Sequence, residues 1–201
     1  MLGGLHTEMA ALRTVGDWLD ASGWVSALID ANIASAGKAD SFLKAAHVSR
    51  TRHAHQMTAA SLYILMNRAY QGYLDDDDAT LTFLEWHKMR SNESPQFLYW
   101  SKTLDLELLV LSFVKSLRVA NFDLYVKSMK KLAPWLFALN HGNYACWLPV
   151  NVRDMANLTN TQLGILTMFQ DGKFVIRKTQ RAFSAISNDH AHEQNNKCVK
   201  G

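Results

Sequence analysis

Near the end of the chain, Asn188-Asp189-His190-Ala191-His192-Glu193-Gln194-Asn195-Asn196 gathers carboxylates, imidazoles and amides into one polar run. On a helix, Asp189 and Glu193 fall one turn apart on a single face, where two carboxylates can share a divalent ion such as Mg2+ through oxygen ligands. The same residues also suit a capped, solvated helix start in which backbone N–H groups occupy Asp189, because acids are enriched in first turns. At the other end, Gly3-Gly4-Leu5-His6-Thr7-Glu8-Met9 places a histidine where a turn opens a helix. An imidazole there can cap, pack, or reach a metal or a phosphate.

Other combinations are weaker. His141 with Cys146, or His190 and His192 with Cys198, could ligate zinc, but none has the close Cys-x-x-Cys or His-x-x-x-His spacing of such sites. His47, His53 and His55 stand beside Arg50 and Arg52; His53 and His55 cannot share a helical face, so the group reads as a basic surface. The chain has no phosphate-binding Gly-x-x-x-x-Gly-Lys-Ser/Thr loop, no Gly-x-Gly-x-x-Gly and no Gly-x-Ser-x-Gly elbow. The tryptophans, spread over the helical stretches, read as core residues and not as a base-stacking platform. Charge is unevenly placed. Lys173, Arg177, Lys178, Arg181, Lys197 and Lys200 face only Asp189 and Glu193 in the tail, whereas the segment from Asp75 to Glu93 is acidic. A basic tail beside a carboxylate is what phosphodiester chemistry needs, and it is also an ordinary basic surface.

The elements that must hold these residues are mostly helical. Leu5, Met9, Leu12, Val15 and Leu19 repeat at the helical period, and Gly23 is expected to end that helix. A second helix is expected over Trp24–Ile33, a turn at Ser35–Lys38, and a long helix over Ser49–Leu74 with Met57, Ala60, Ile64 and Tyr70 on its apolar face. The run Asp75–Asp78 reads as a solvated loop. Helices are then expected over Thr80–Arg90, over Gln96–Val119 as a central element apolar nearly all round, and from a cap at Asn121 to about Asn140, with Pro134 kinking or dividing it. A turn at His141–Asn143 and helices over Tyr144–Leu158 and Thr161–Phe169 follow. Lys173–Lys178 and Ala182–Ile186 read as two strands, and a final helix begins at His190, capped by Ser187, Asn188 or Asp189.

Composition bounds the rest. The chain has 201 residues, 48% hydrophobic and 19% charged, a net charge of +3, and few prolines and glycines, which together exclude extensive disorder and an all-β sandwich. Two cysteines cannot form a disulfide framework, and no secretory signal opens the chain, so a reducing intracellular compartment is expected. The most apolar run, Leu104–Leu117, is interrupted by Asp105, Glu107 and Lys115, and no membrane partner is expected. Both ends are abrupt, as in a piece of a longer fold.

The two terminal motifs around a helical middle resemble the later part of an RNase H-like transposase of the MuDR/hAT type. Gly3-Gly4-Leu5-His6-Thr7-Glu8-Met9-Ala10-Ala11-Leu12 and Ala191-His192-Glu193-Gln194-Asn195-Asn196 also resemble uncharacterised, transposon-derived proteins of animal genomes over essentially the whole chain. The resemblance implies a mainly α fold: a large all-helical region and a small C-terminal β element, forming a partial RNase H-like fold with a helical insertion. Residues 1–20 would be the strand-to-helix start of its core, 21–172 the insertion, and 173–201 a strand pair with the start of the final acidic helix. Glu193 would be the last acid of an Asp-Asp-Glu set and a metal ligand, with Asp189 beside it. His6 would answer to the histidine of a Cys-or-Phe-x-x-His motif, although Gly3 departs from that motif's first residue.

Lys178, Arg181 and Lys197 would contact phosphate. The partner would be DNA, the location nuclear, and Mg2+ the cofactor of the complete protein. Both upstream aspartates would precede Met1, so this chain alone is expected to be inactive. The reading requires His6 and Glu193 to approach within about 15 Å on one edge of a small sheet. Its rival is a helical interaction scaffold, in which both motifs are ordinary helix ends and an apolar patch is exposed. A free-standing metal-dependent hydrolase built from Asp189, His190, His192 and Glu193 is the third reading.

Overall fold

The computed structural model describes residues 2–76 and 79–199, with side chains described up to Asn196. It is mainly helical, with one small antiparallel sheet near the C-terminus. The helices are α1 (Gly4–Leu19), α2 (Trp24–Asp30), α3 (Ala36–Leu43), α4 (Val48–Leu74), α5 (Phe83–Glu93), α6 (Pro95–Arg118), α7 (Phe122–Ala138), α8 (Gly142–Ala156), α9 (Leu158–Thr161) and α10 (Leu163–Gln170). Then come β1 (Val175–Arg177), β2 (Ala185–Ser187) and α11 (Asn188–Val199). The strands pair with Val175 opposite Ser187 and Arg177 opposite Ala185.

α6 is the axis of the molecule, contacting α1, α4, α5, α7 and β2. Its all-round apolar sequence follows from that position: Leu106, Val110 and Phe113 have no exposed surface. Ser94 caps it by accepting a hydrogen bond from the Phe97 N–H, and Pro95 occupies its first turn, where a missing N–H costs nothing. Thr82 and Glu85 form a reciprocal capping box at α5, and Asn121 caps α7 through the Leu124 N–H. Pro134 lies inside α7 without ending it. Among the described residues, no helix is long and apolar enough to cross a membrane.

Several expectations are corrected. Ser35–Lys38 is not a turn; Ser35 is the residue before α3, which packs on α1, α2 and α4. Gly23 does not end α1, because Ala21 takes the left-handed conformation first. Asn32, Ala45, Ala120 and Asn140 do the same after α2, α3, α6 and α7, so five helices stop without a glycine signal. The buried face of α4 is not the large apolar one. Thr51, Ala54, His55, Thr58 and Ala59 turn inward, whereas Met57 and Ile64 are exposed. Small and polar residues take that face where α4 packs on α6, whose Glu107 meets His55 in the buried contact. His141–Asn143 is no separate turn either, since α8 begins at Gly142. Trp24 and Trp86 are core residues, but Trp147 is 62% exposed. Of the acidic run, Asp75 and Asp76 are exposed, and Asp77 and Asp78 lie outside the described residues.

Candidate functional site

The two ends of the chain meet. α1 begins with its first N–H groups unpaired, as every helix does, and Gly3 provides no side-chain cap. Asp189, on the first turn of α11, supplies it from 184 positions away: its Oδ1 accepts from the Leu5 N–H at 3.1 Å and its Oδ2 from the His6 N–H at 3.1 Å. A carboxylate there also meets the positive end of the helix dipole. The approach depends on the paired glycines. A Cβ on Gly3 would collide with the Asp189 carboxyl, and one on Gly4 would lie 2.6 Å from the Ser187 Cβ. Leu2 is held on the other side, its N–H donating to Asn151 Oδ1 at 3.2 Å and its carbonyl accepting from the Tyr125 hydroxyl at 3.4 Å.

This latch aims His6. The ring nitrogen Nδ1 lies 3.0 Å from Asp189 Oδ2, and Nε2 lies 3.6 Å from Glu193 Oε1. His6 and Glu193 are 54% and 45% exposed, so the free edge of the imidazole and the Glu193 carboxylate are open to solvent. With Asp189 accepting a hydrogen bond from Nδ1–H, Nε2 is left as a base or ligand, the arrangement in which a carboxylate orients a reactive histidine. Asp189 itself is committed. Its Oδ1 also accepts from the His190 N–H at 3.0 Å, so both oxygens are fully used. Partial burial alone would raise its pKa, but hydrogen bonds from Ser187, the Leu5 N–H, and the ring and N–H of His6 outweigh it and hold the carboxyl at about 2.

Positive charge surrounds the corner. Burial first, then Arg118, Lys178 and Arg52, push the His190 ring below the ordinary histidine range, with Asp189 acting against them. Gln194 lies 3.0 Å from that ring through Nε2 and accepts a hydrogen bond from the Lys178 ammonium through Oε1. Lys178 is thereby placed over α11, one residue along from Glu193. Arg181 is exposed in the turn between β1 and β2, and the Lys197 side chain lies outside the described residues. Arg52 is not on a basic surface; its Nε donates to the buried Glu8 at 2.6 Å. Burial raises the Glu8 pKa, and Arg52 opposes the rise.

A shared metal between Asp189 and Glu193 does not fit this arrangement, because Asp189 has no oxygen to spare. Among the described residues, no three His, Cys, Asp or Glu side chains form a group able to hold a metal ion. That leaves His6 and Glu193, too few oxygen ligands for Mg2+ by themselves. For the zinc combinations, Cys146 is exposed and His141 lies 3.1 Å from Asp17, while Cys198 has no described side chain. Nor does His55 belong to a basic surface. It is fully buried, stacked on Trp24 with ring centroids 5.2 Å apart, and its Nδ1 lies 2.8 Å from the equally buried Glu107. The sequence signal for that pair was the inward stripe of small and polar residues at helical spacing on α4, overshadowed by the larger apolar residues on its other face.

Comparison with known proteins adds a family and no activity. Residues 77–200 match the model of a family described as a domain of unknown function, DUF8702. Neither the curated proteins nor the solved structures contain a match.

Proposed function

The chain belongs to the DUF8702 family, and from the meeting of its two ends we propose that it is part of a transposase-derived, RNase H-like protein whose His6–Glu193 corner faces a nucleic-acid backbone. The observation that carries this reading is the approach of His6 to Glu193, 3.6 Å apart although almost the whole chain lies between them. Glu193 is on α11, into which β2 runs directly. In this reading Glu193 is the last acid of the site and His6 is a positioning residue, held by Asp189 so that Nε2 faces the Glu193 carboxylate. Lys178 and Arg181 hold phosphate, and Arg118 is a further cation close to His190. Two-metal cleavage needs several carboxylates around ions about 4 Å apart. Among the described residues Glu193 is the one uncommitted carboxylate at this corner, and the activity proposed for this chain is binding without cleavage, on DNA in the nucleus.

The test is fluorescence anisotropy with a labelled DNA duplex between about 50 and 200 mM salt. Affinity should fall steeply with salt, and K178E/R181E should lower the logarithmic slope by about 2, one for each lost phosphate contact. Flat, salt-insensitive binding, or a double variant that binds like the parent, would remove the reading.

The rival scaffold reading is favoured by exposed apolar side chains on three helices. α10 buries no residue despite its apolar sequence; Leu163 and Met168 are exposed, as are Phe137 and Trp147 on α7 and α8. A surface of that kind is what a protein partner covers. A scaffold would show no DNA affinity at any salt concentration.

A further inference from the structure

The groove between α6 and α7 shares no residue with the His6 corner and has a different chemistry. It encloses about 890 Å³. Its floor is apolar, formed by Leu108, Leu109, Leu124 and Trp135, and its rim on α7 carries Lys127, Lys130 and Lys131. At i, i+3 and i+4 these ammonium groups share one face of α7, where like charges repel. Several exposed cations elsewhere pair with an acid: Lys44 with Asp40, Arg90 with Glu93, Arg13 with Asp17. Even in this groove Lys102 is paired with Asp105, but among the described residues the side chains of the three α7 lysines make no ion pair or hydrogen bond. Ser128, only 2% exposed and lining the same groove, has an unpartnered Oγ.

We propose that the α6/α7 groove docks an acidic amphipathic helix of a protein partner, whose apolar face fills the floor and whose carboxylates meet Lys127, Lys130 and Lys131. Charge complementarity selects an acidic occupant. The apolar floor selects a peptide over a nucleic acid: leucines and a tryptophan offer a phosphate backbone nothing, and no arginine is present to grip phosphate in bidentate fashion. Trp135 is held ready, its ring set edge-on against Trp18 with centroids 5.3 Å apart. This inference does not depend on the DNA-binding reading.

Three fluorescein-labelled synthetic helices test it against the full chain by anisotropy: one with leucines on one face and glutamates flanking them, one with the leucines changed to alanine, and one with the glutamates changed to glutamine. The first should bind at least about tenfold more tightly than either control. K127E/K130E/K131E should weaken it by a similar factor and should bind a lysine-flanked version instead; K127Q/K130Q/K131Q serves if charge reversal disturbs α7. K178E/R181E should leave peptide binding unchanged. Equal binding of the three peptides, or no effect of the lysine variants, overturns the proposal. So does a DNA duplex that depends on these lysines while the acidic peptide fails to bind, which would assign the groove to nucleic acid.

Discussion

Two of the molecule's histidine–carboxylate pairs are nearly equal in length and differ in almost everything else. His55 and Glu107 are 2.8 Å apart with neither side chain exposed, sealed under Trp24 between α4 and α6. His6 and Asp189 are 3.0 Å apart at the meeting of the chain ends, with His6 54% and Asp189 19% exposed. In the sealed pair the second nitrogen and the second oxygen, His55 Nε2 and Glu107 Oε2, reach neither a partner nor solvent, so no substrate can use them. In the open pair the second nitrogen points at Glu193 and at water. Pair chemistry alone therefore does not mark a functional site. Access does, and the closed pair serves as its internal control.

Breaking the sealed pair should have the largest effect. Burial drives the Glu107 pKa up and His55 opposes the rise, so each group is tolerated because the other is there. Glu107→Ala leaves a histidine unpaired in the core and should cost about 3–5 kcal/mol, read from the urea midpoint. A loss under about 1 kcal/mol would mean that the core accommodates the isolated imidazole, and the contrast with the open pair would fail.

The open pair should be worth less, and its worth should depend on pH. Asp189→Ala removes the acceptor for two α1 N–H groups and should cost about 1–2 kcal/mol, allowing for its partial exposure to solvent. The folded-state pKa of about 2 lies below the ordinary 3.8, so the stabilisation is complete above about pH 4 and is lost as pH falls through about 2. The stability gap between parent and Asp189→Ala should therefore be constant from neutral pH down to about 4 and shrink below it. Gly3→Ala pushes a methyl group into the same carboxyl and should cost about 1 kcal/mol alone, yet add little to Asp189→Ala. Full additivity would show that Gly3 matters for some reason other than the latch.

The two pairs were unequally legible in the sequence. The long helices were readable from periodicity, and α5, α6 and α7 carry capping residues that announce their starts. Their stops were not, because Ala21, Asn32, Ala45, Ala120 and Asn140 enter the left-handed region in place of glycine; α3 was lost between two such stops. At the site, the polar run from Asn188 and the Gly3-Gly4-Leu5-His6 turn drew attention to the right residues, and two accounts of Asp189 stayed open. Backbone N–H groups do occupy it, but they belong largely to α1, a long-range match that no local pattern encodes. The His55–Glu107 pair was hidden for the same reason. Its members are 52 positions apart, and burial, not residue type, makes them a pair.

Glu193 gives the smallest expected effect on stability and the sharpest discrimination. Its carboxylate is 45% exposed, 3.6 Å from His6 Nε2 and held by no hydrogen bond among the described residues, so its contribution to folding should be that of an exposed surface carboxylate. Glu193→Gln should change stability by no more than about 0.5 kcal/mol. A carboxylate next to a histidine that the fold itself takes the trouble to orient, yet whose removal the fold does not register, is available for something other than folding. If Glu193→Gln instead destabilises the chain as much as Asp189→Ala does, Glu193 belongs to the latch, both acids of α11 are structural, and the open pair becomes a solvent-facing version of the closed one.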